Sequence, residues 1–164
     1  MVVAVEMELV GIELERPPNI PCLLLREADG DRRVLPIFIG SPEATAIAFA
    51  LEEVETPRPM THDLMKNLLD EVGARVERIT VTALRDGTFF AEIVLRAQGE
   101  VRTVSSRPSD AIALAIRIGS PIFAEEDVLD EAGRVEQPDE EQAEQMVEEF
   151  REFIDHVNPE DFAS

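Results

Sequence analysis

Apolar and polar residues alternate from Val2 to Glu15, with Val3, Val5, Met7 and Leu9 set against Ala4, Glu6 and Glu8. This is the period of a half-buried strand, and Pro17-Pro18-Asn19 ends it. Pro21 to Ala28 predicts a second strand, Asp29-Gly30-Asp31 a hairpin turn, and Arg32 to Ile39 a third strand. At Gly40-Ser41-Pro42-Glu43 the period changes. Ser41 is placed to cap a helix, Pro42 suits its first turn, and Ala44, Ile47, Ala48 and Leu51 recur at helical spacing to about Glu53. The inner face of this helix is built of small residues, which allows close packing.

A second helix is predicted after Thr61, its natural N-cap, from Leu64, Leu68 and Val72 with Met65 and Leu69, closed by Gly73. Val76 to Ala83, Thr88 to Arg96 and Val101 to Val104 read as an antiparallel meander turned at Arg85-Asp86-Gly87 and Gln98-Gly99. A third helix starts with Ser106 or Ser109 as cap and is apolar all round from Ala111 to Ile116, which predicts burial on several sides. Gly119 ends it, and Pro121 to Ala124 is expected as a short closing strand or edge segment. The expected architecture is therefore α+β, with an antiparallel or mixed sheet and three core helices.

Past Glu125 the composition shifts. Residues 125–164 carry 16 acidic and 2 basic side chains, a balance of -14, whereas residues 1–124 carry 19 and 13, a balance of -6; together these make the net charge of -20. Gly133 to Glu141 reads as a polar linker, and Met146, Val147, Phe150, Phe153 and Ile154 form a helical stripe expected to dock on the body or on a partner. The division expected is a domain over 1–130 and an acidic linker with a C-terminal helix over 131–164. So acidic a chain disfavours unspecific affinity for phosphates, yet most of the acidity lies in the tail and leaves room for a local basic cleft. No run is long enough for a membrane span, and the single cysteine, Cys22, lies in an apolar strand and allows no internal disulfide. A cytoplasmic protein is expected.

The densest chemistry is Pro57-Arg58-Pro59-Met60-Thr61-His62-Asp63-Leu64, in a chain with two histidines. The prolines force Thr56 and Arg58 into extended backbone, so the helix begins after them with His62 and Asp63 in its first turn. There the free backbone N–H groups and the helix dipole favour Asp63 or a bound anion such as phosphate. Ser41-Pro42-Glu43 and Arg107-Pro108-Ser109-Asp110 are helix starts of the same kind. If the three ends converge, Glu43, Asp63 and Asp110 are placed to hold a hard divalent cation, Mg²⁺ or Mn²⁺. His62 is then fourth ligand or general base, and Arg58 and Arg107 bind phosphate. The same residues also have a purely structural explanation as caps and dipole partners. His156, in the tail, reads as a solvated helix residue. There is no CxxC, HExxH, Walker-type glycine loop or GxSxG. With no Trp or Tyr, base stacking rests on eight Phe, and Phe89-Phe90 on a strand is expected to pack in the core.

Leu35-Pro36-Ile37-Phe38-Ile39-Gly40 with Glu43-Ala44 and Ala46-Ile47, the segment Pro57 to Leu64, and Arg107-Pro108-Ser109-Asp110 followed by Ala111 to Ala115 resemble, in order and spacing, the bifunctional nuclease domain family. Asp86-Gly87-Thr88-Phe89-Phe90-Ala91 fits as well. The resemblance covers about residues 3–130, and the ending Phe150 to Phe162 is similar to the tail of actinobacterial members. It implies an α+β domain in homodimers or small homo-oligomers and an activity on RNA and DNA. By the matching motifs, Glu43, Arg58, His62, Asp63, Arg107, Ser109 and Asp110 carry over as site residues. Members often have an acidic residue two positions before the motif arginine; Ser105 stands there in this chain, which would remove a metal ligand if that carboxylate served as one. Against a nuclease stand two other readings of the residues: a non-enzymatic regulatory or scaffold oligomer in which these residues form a buried polar network, and a binder of a small anionic ligand.

Overall fold

The computed structural model describes residues 2–15, 19–136 and 140–156. The expected turn at Pro17-Pro18 and the ending Asn158 to Phe162 lie outside those residues, as do the side chains of Met146, Phe153 and Ile154. Seven strands form one mixed sheet in the order β3-β2-β1-β7-β4-β5-β6. The strands are β1 (Ala4–Glu15), β2 (Ile20–Glu27), β3 (Val34–Phe38), β4 (Arg75–Arg85), β5 (Thr88–Ala97), β6 (Glu100–Ser106) and β7 (Ile122–Glu125), and the helices are α1 (Ser41–Leu51), α2 (Thr61–Glu71), α3 (Pro108–Ile118), α4 (Glu126–Ala132) and α5 (Glu140–His156). The α+β class read from the sequence is the class found. No helix among the described residues is long and apolar enough to cross a membrane.

The β4–β5–β6 meander forms as its turn residues dictate. Asp86 and Gly87, then Gln98 and Gly99, all take positive φ (50°, 77°, 53° and 77°). That is the pair of left-handed conformations of a two-residue type I′ hairpin, which matches the twist of the flanking strands. β7 differs from expectation. It is an interior strand, antiparallel to β1 (Val5 opposite Ala124) and parallel to β4 (Ile79 opposite Ile122). The chain returns from the β6 edge through α3, so β7 enters the middle of the sheet and joins its two halves. Four residues with Ile122 and Ala124 buried suffice, since both neighbours supply hydrogen bonds.

α3 is buried because it is the middle of a stack. It packs on β4 and β5 on one side and touches α1 and α2 on others, and Ala111, Ile112, Ala113, Leu114 and Ala115 are at most 1% exposed. The alanines let α1 approach, while Ile112 and Leu114 each gain about 1.5–3 kcal/mol from burial. α2 packs chiefly on α3 and forms the outer layer. Its inward Met65 and Leu69 join the core, and its outward Leu64 and Leu68, with the flanking Met60 and Val72 at the same four-residue spacing, are 49%, 57%, 53% and 71% exposed.

α4 was not foreseen. It follows β7 directly, buries Val128 and Leu129, and is tied to the β2–β3 turn by Arg33, which bonds Glu27 (2.8 Å), Glu126 (2.7 Å) and Asp130 (3.2 Å). Past it, Arg134 and Val34 exchange backbone bonds of 2.7 and 2.9 Å, so contact with the body continues beyond residue 130. On α5, Val147 and Phe150 of the expected docking stripe are exposed (53% and 64%).

Candidate active site

The three helix starts converge. A cleft of about 250 Å³ is lined by Pro42, Glu43 and Ala46 of α1, Met60, Thr61 and His62 at the start of α2, and Arg107, Asp110 and Arg117 of α3, among others. Each start forms locally, one residue earlier than side-chain capping would have it at α1 and α2, and between the two serines expected as caps, Ser106 and Ser109, at α3. Gly40, Met60 and Arg107, all in extended backbone, precede the helices, and Ser41, Thr61 and Ser109 do not cap them. At α3 the cause is Pro108, whose ring forces the residue before it to be extended. At α2, Asp63 Oδ2 reaches back to accept the Met60 N–H at 3.0 Å, so the residue three positions into the helix satisfies the amide of the residue that precedes it.

Four of the expected residues form one chain of charge along the cleft. His62, 7% exposed, sets Nε2 at 2.9 Å from Asp110 Oδ1. Arg107 Nε donates to Asp110 Oδ2 at 2.8 Å, and the same guanidinium meets Glu43 Oε1 at 3.1 Å. Burial pushes the Asp110 carboxyl up, but the bonds and charges of Arg107 and His62 outweigh it and hold it below the ordinary aspartate value. Facing the Asp110 carboxylate, His62 Nε2 is the donor of this pair. Nδ1 has no hydrogen-bond partner among the described residues. Beside Glu43, the absence of a side chain on Gly40 matters, because a methyl there would overlap the Glu43 carboxylate.

Asp63 is drawn elsewhere. Its Oδ1 accepts from Arg117 Nε at 2.7 Å, and that bond, against burial and helped by the Met60 amide, lowers its pKa. Arg117 also donates to Ala113 O of its own helix (2.8 Å) and to Ala46 O of α1 (3.0 Å), binding three helices with one side chain. The sequence reading missed Arg117. The available signal was that it is the one charged residue in α3 after the first turn, where a side chain so placed must find polar partners. Arg58 lies apart on an exposed loop with no ion pair among the described residues; its carbonyl accepts from Thr56 Oγ1 at 2.6 Å. Ser109 faces a second cleft on the far side of Arg107. Ser105 is exposed on β6, paired in register with Glu92.

This geometry bears on the divalent cation. Glu43, Asp63 and Asp110 are not gathered around one point, and among the described residues no three His, Cys, Asp or Glu side chains are grouped to hold a metal ion. The Arg107 guanidinium stands between Glu43 and Asp110, where a cation shared by them would sit. As arranged, the residues do not fit a Mg²⁺ or Mn²⁺ centre.

A seven-stranded mixed sheet whose helices α1, α2 and α3 turn their N-terminal ends onto one arginine-bearing cleft defines an α+β domain. Residues 23–137 match the bifunctional nuclease domain, and the chain belongs to that family. It is similar to an uncharacterised protein of Mycobacterium tuberculosis strain H37Rv, 46% identical over 163 residues, covering 96% of this chain and 97% of the relative. Bifunctional nuclease 1 of Arabidopsis thaliana and bifunctional nuclease 2 of Oryza sativa subsp. japonica are each 30% identical over 105 residues, 62% of this chain and 32% of theirs. The match thus spans about a third of those plant proteins.

Proposed function

We propose that this chain is a nuclease that hydrolyses phosphodiester bonds of RNA and DNA with low sequence specificity, in the cleft where α1, α2 and α3 begin. The observation that carries the reading is the continuous chain His62–Asp110–Arg107–Glu43 along an open cleft, in a family whose plant relatives bear the nuclease name. Arg107, 64% exposed at its side chain, binds the phosphate and stabilises charge developing on its oxygens. Glu43 holds that guanidinium in place. Asp110 orients His62 and supports the imidazolium that forms when Nδ1 takes a proton from the attacking water; the water oxygen bonds phosphorus, the P–O bond to the departing sugar oxygen breaks, and that oxygen takes a proton from the imidazolium or from solvent. Arg58 extends the phosphate track on the α2 side, and Ser109 lines the far wall of Arg107. Asp63, bonded to Arg117 and to the Met60 amide, holds the start of α2 on which His62 sits. No step is assigned to a metal, since the donor groups do not gather.

Labelled single-stranded and duplex RNA and DNA are incubated with the protein in Mg²⁺, Mn²⁺ or EDTA, beside His62→Ala and Arg107→Gln variants whose folding is checked by circular dichroism. Cleavage lost in both folded variants is the expected result; cleavage unchanged in His62→Ala refutes the assignment of the base. Self-association as a homodimer or small homo-oligomer belongs to the same reading, supported by the outward apolar ridge of α2. A second reading, a regulatory or scaffold oligomer without catalysis, is favoured by the internal pairing of Glu43, His62, Arg107 and Asp110. It becomes the answer if no substrate is cut above the variants' background.

A further inference from the structure

The second cleft, about 300 Å³, opens on the other side of Arg107 and is lined by Phe38, Gly40, Gly87, Phe89 and Ser109, among others. Phe38 ends β3 with 56% of its surface exposed, whereas Phe89 is half-buried and packs against the core as a floor. Gly40 and Gly87 bring no side chains, so the aromatic wall stays open. Arg107 belongs to both clefts, with its guanidinium held toward the first by Asp110 and Glu43. An exposed aromatic one arginine away from a phosphate position has the geometry that single-stranded nucleic acid requires, a flat apolar face for a base and a cation for its backbone. The volume lies at the small end of ligand sites, roughly 300–1,000 Å³, and suits one base better than a paired step.

We propose that this cleft is a base-binding subsite in which the nucleotide next to the Arg107-bound phosphate stacks its base on Phe38, making single-stranded RNA or DNA the preferred substrate. The inference rests on the nuclease reading of the neighbouring cleft. A duplex, with its bases stacked on each other, can offer Arg107 only its backbone and gains nothing from Phe38.

The test is fluorescence anisotropy in EDTA at low salt with three labelled probes: a single-stranded 12-mer, the same 12-mer made of abasic residues, and its duplex. Wild type, Phe38→Ala and Phe38→Tyr are compared, with folding checked by circular dichroism. The expected result is that Phe38→Ala weakens binding of the normal strand roughly 5- to 100-fold, the range set by one stacked base. It leaves the abasic strand and the duplex unchanged, and Phe38→Tyr keeps wild-type binding. Equal wild-type affinity for normal and abasic strands, or equal binding of the normal strand by wild type and Phe38→Ala, overturns the subsite while the nuclease reading stands. No binding of any probe by wild type overturns both.

Discussion

Replacing Arg117 with Met removes the side chain that ties α1, α2 and α3 together while keeping much of its apolar stem. Ala113 O and Ala46 O lie inside α3 and α1, where each keeps its helical amide, so losing Arg117 leaves neither orphaned. The Asp63 side chain loses its 2.7 Å bond but retains the Met60 N–H on its other oxygen and is 37% exposed, so water takes up part of the loss. The cost therefore falls below the 3–5 kcal/mol of breaking a fully buried pair, at about 2 kcal/mol, within the range for hydrogen bonds to charged groups. With a urea slope of roughly 2 kcal/mol per molar, the unfolding midpoint falls by about 1 M. Far-UV circular dichroism is the appropriate probe, since the chain has no Trp or Tyr. The pH dependence follows from the lowered pKa of Asp63, caused first by Arg117. A depressed carboxyl contributes stability above its unfolded value, about 3.9, and loses it as pH falls through the lower folded value. The gap between wild type and variant is therefore full at neutral pH and narrows in acid below that point. In a double-mutant cycle with Asp63→Asn, a coupling of about 1–2 kcal/mol is expected. A midpoint shift under about 0.2 M, or a gap that widens in acid, would refute the assignment.

Gly40→Ala places a methyl against the Glu43 carboxylate and turns it from Arg107. Cleavage should drop several-fold in a single-turnover assay, while stability changes by less than about 1 kcal/mol because the moving group is the end of a flexible side chain. Arg33→Met leaves Glu27, 4% exposed, without its cation, and should cost about 3–5 kcal/mol in urea unfolding; adding Glu27→Leu should recover most of it. Since Arg33 lowers the Glu27 pKa, wild type should also lose this contribution as pH falls through the depressed value. Leu68→Glu, on the outward ridge of α2, should shift sedimentation toward the monomer with little change in the circular dichroism spectrum.

Most of the fold was legible because it is written in short-range signals. The alternation in β1, the Asp86-Gly87 and Gln98-Gly99 turns and the unbroken apolar body of α3 each fix a local conformation without reference to anything distant. The interior place of β7 was not legible, because four residues carry no mark of which strands lie on either side. Nor was α4, whose Val128 and Leu129 are hidden in an acidic run. In the cleft, Glu43, His62, Arg107 and Asp110 were found because each sits in the first turn of a helix or just before one. The orientation of Asp63 was not, since neighbouring residues on a helix point about 100° apart. His62 therefore reaches Asp110 while Asp63 turns to Arg117, whose importance shows only once α3 is stacked between its neighbours.

The bonds that make the cleft link residues 48, 54 and 71 positions apart in the chain: His62 to Asp110, Asp63 to Arg117, and Ala46 to Arg117. Closing loops of that length costs entropy before any contact repays it, and each of these bonds needs a residue of α3. The β1–β2–β3 hairpins need only contacts close in sequence, whereas the cleft needs α3 in place. A nascent chain that has not yet supplied α3 holds His62 and Glu43 without Arg107 and Asp110, so the cleft is complete only when that helix is in place.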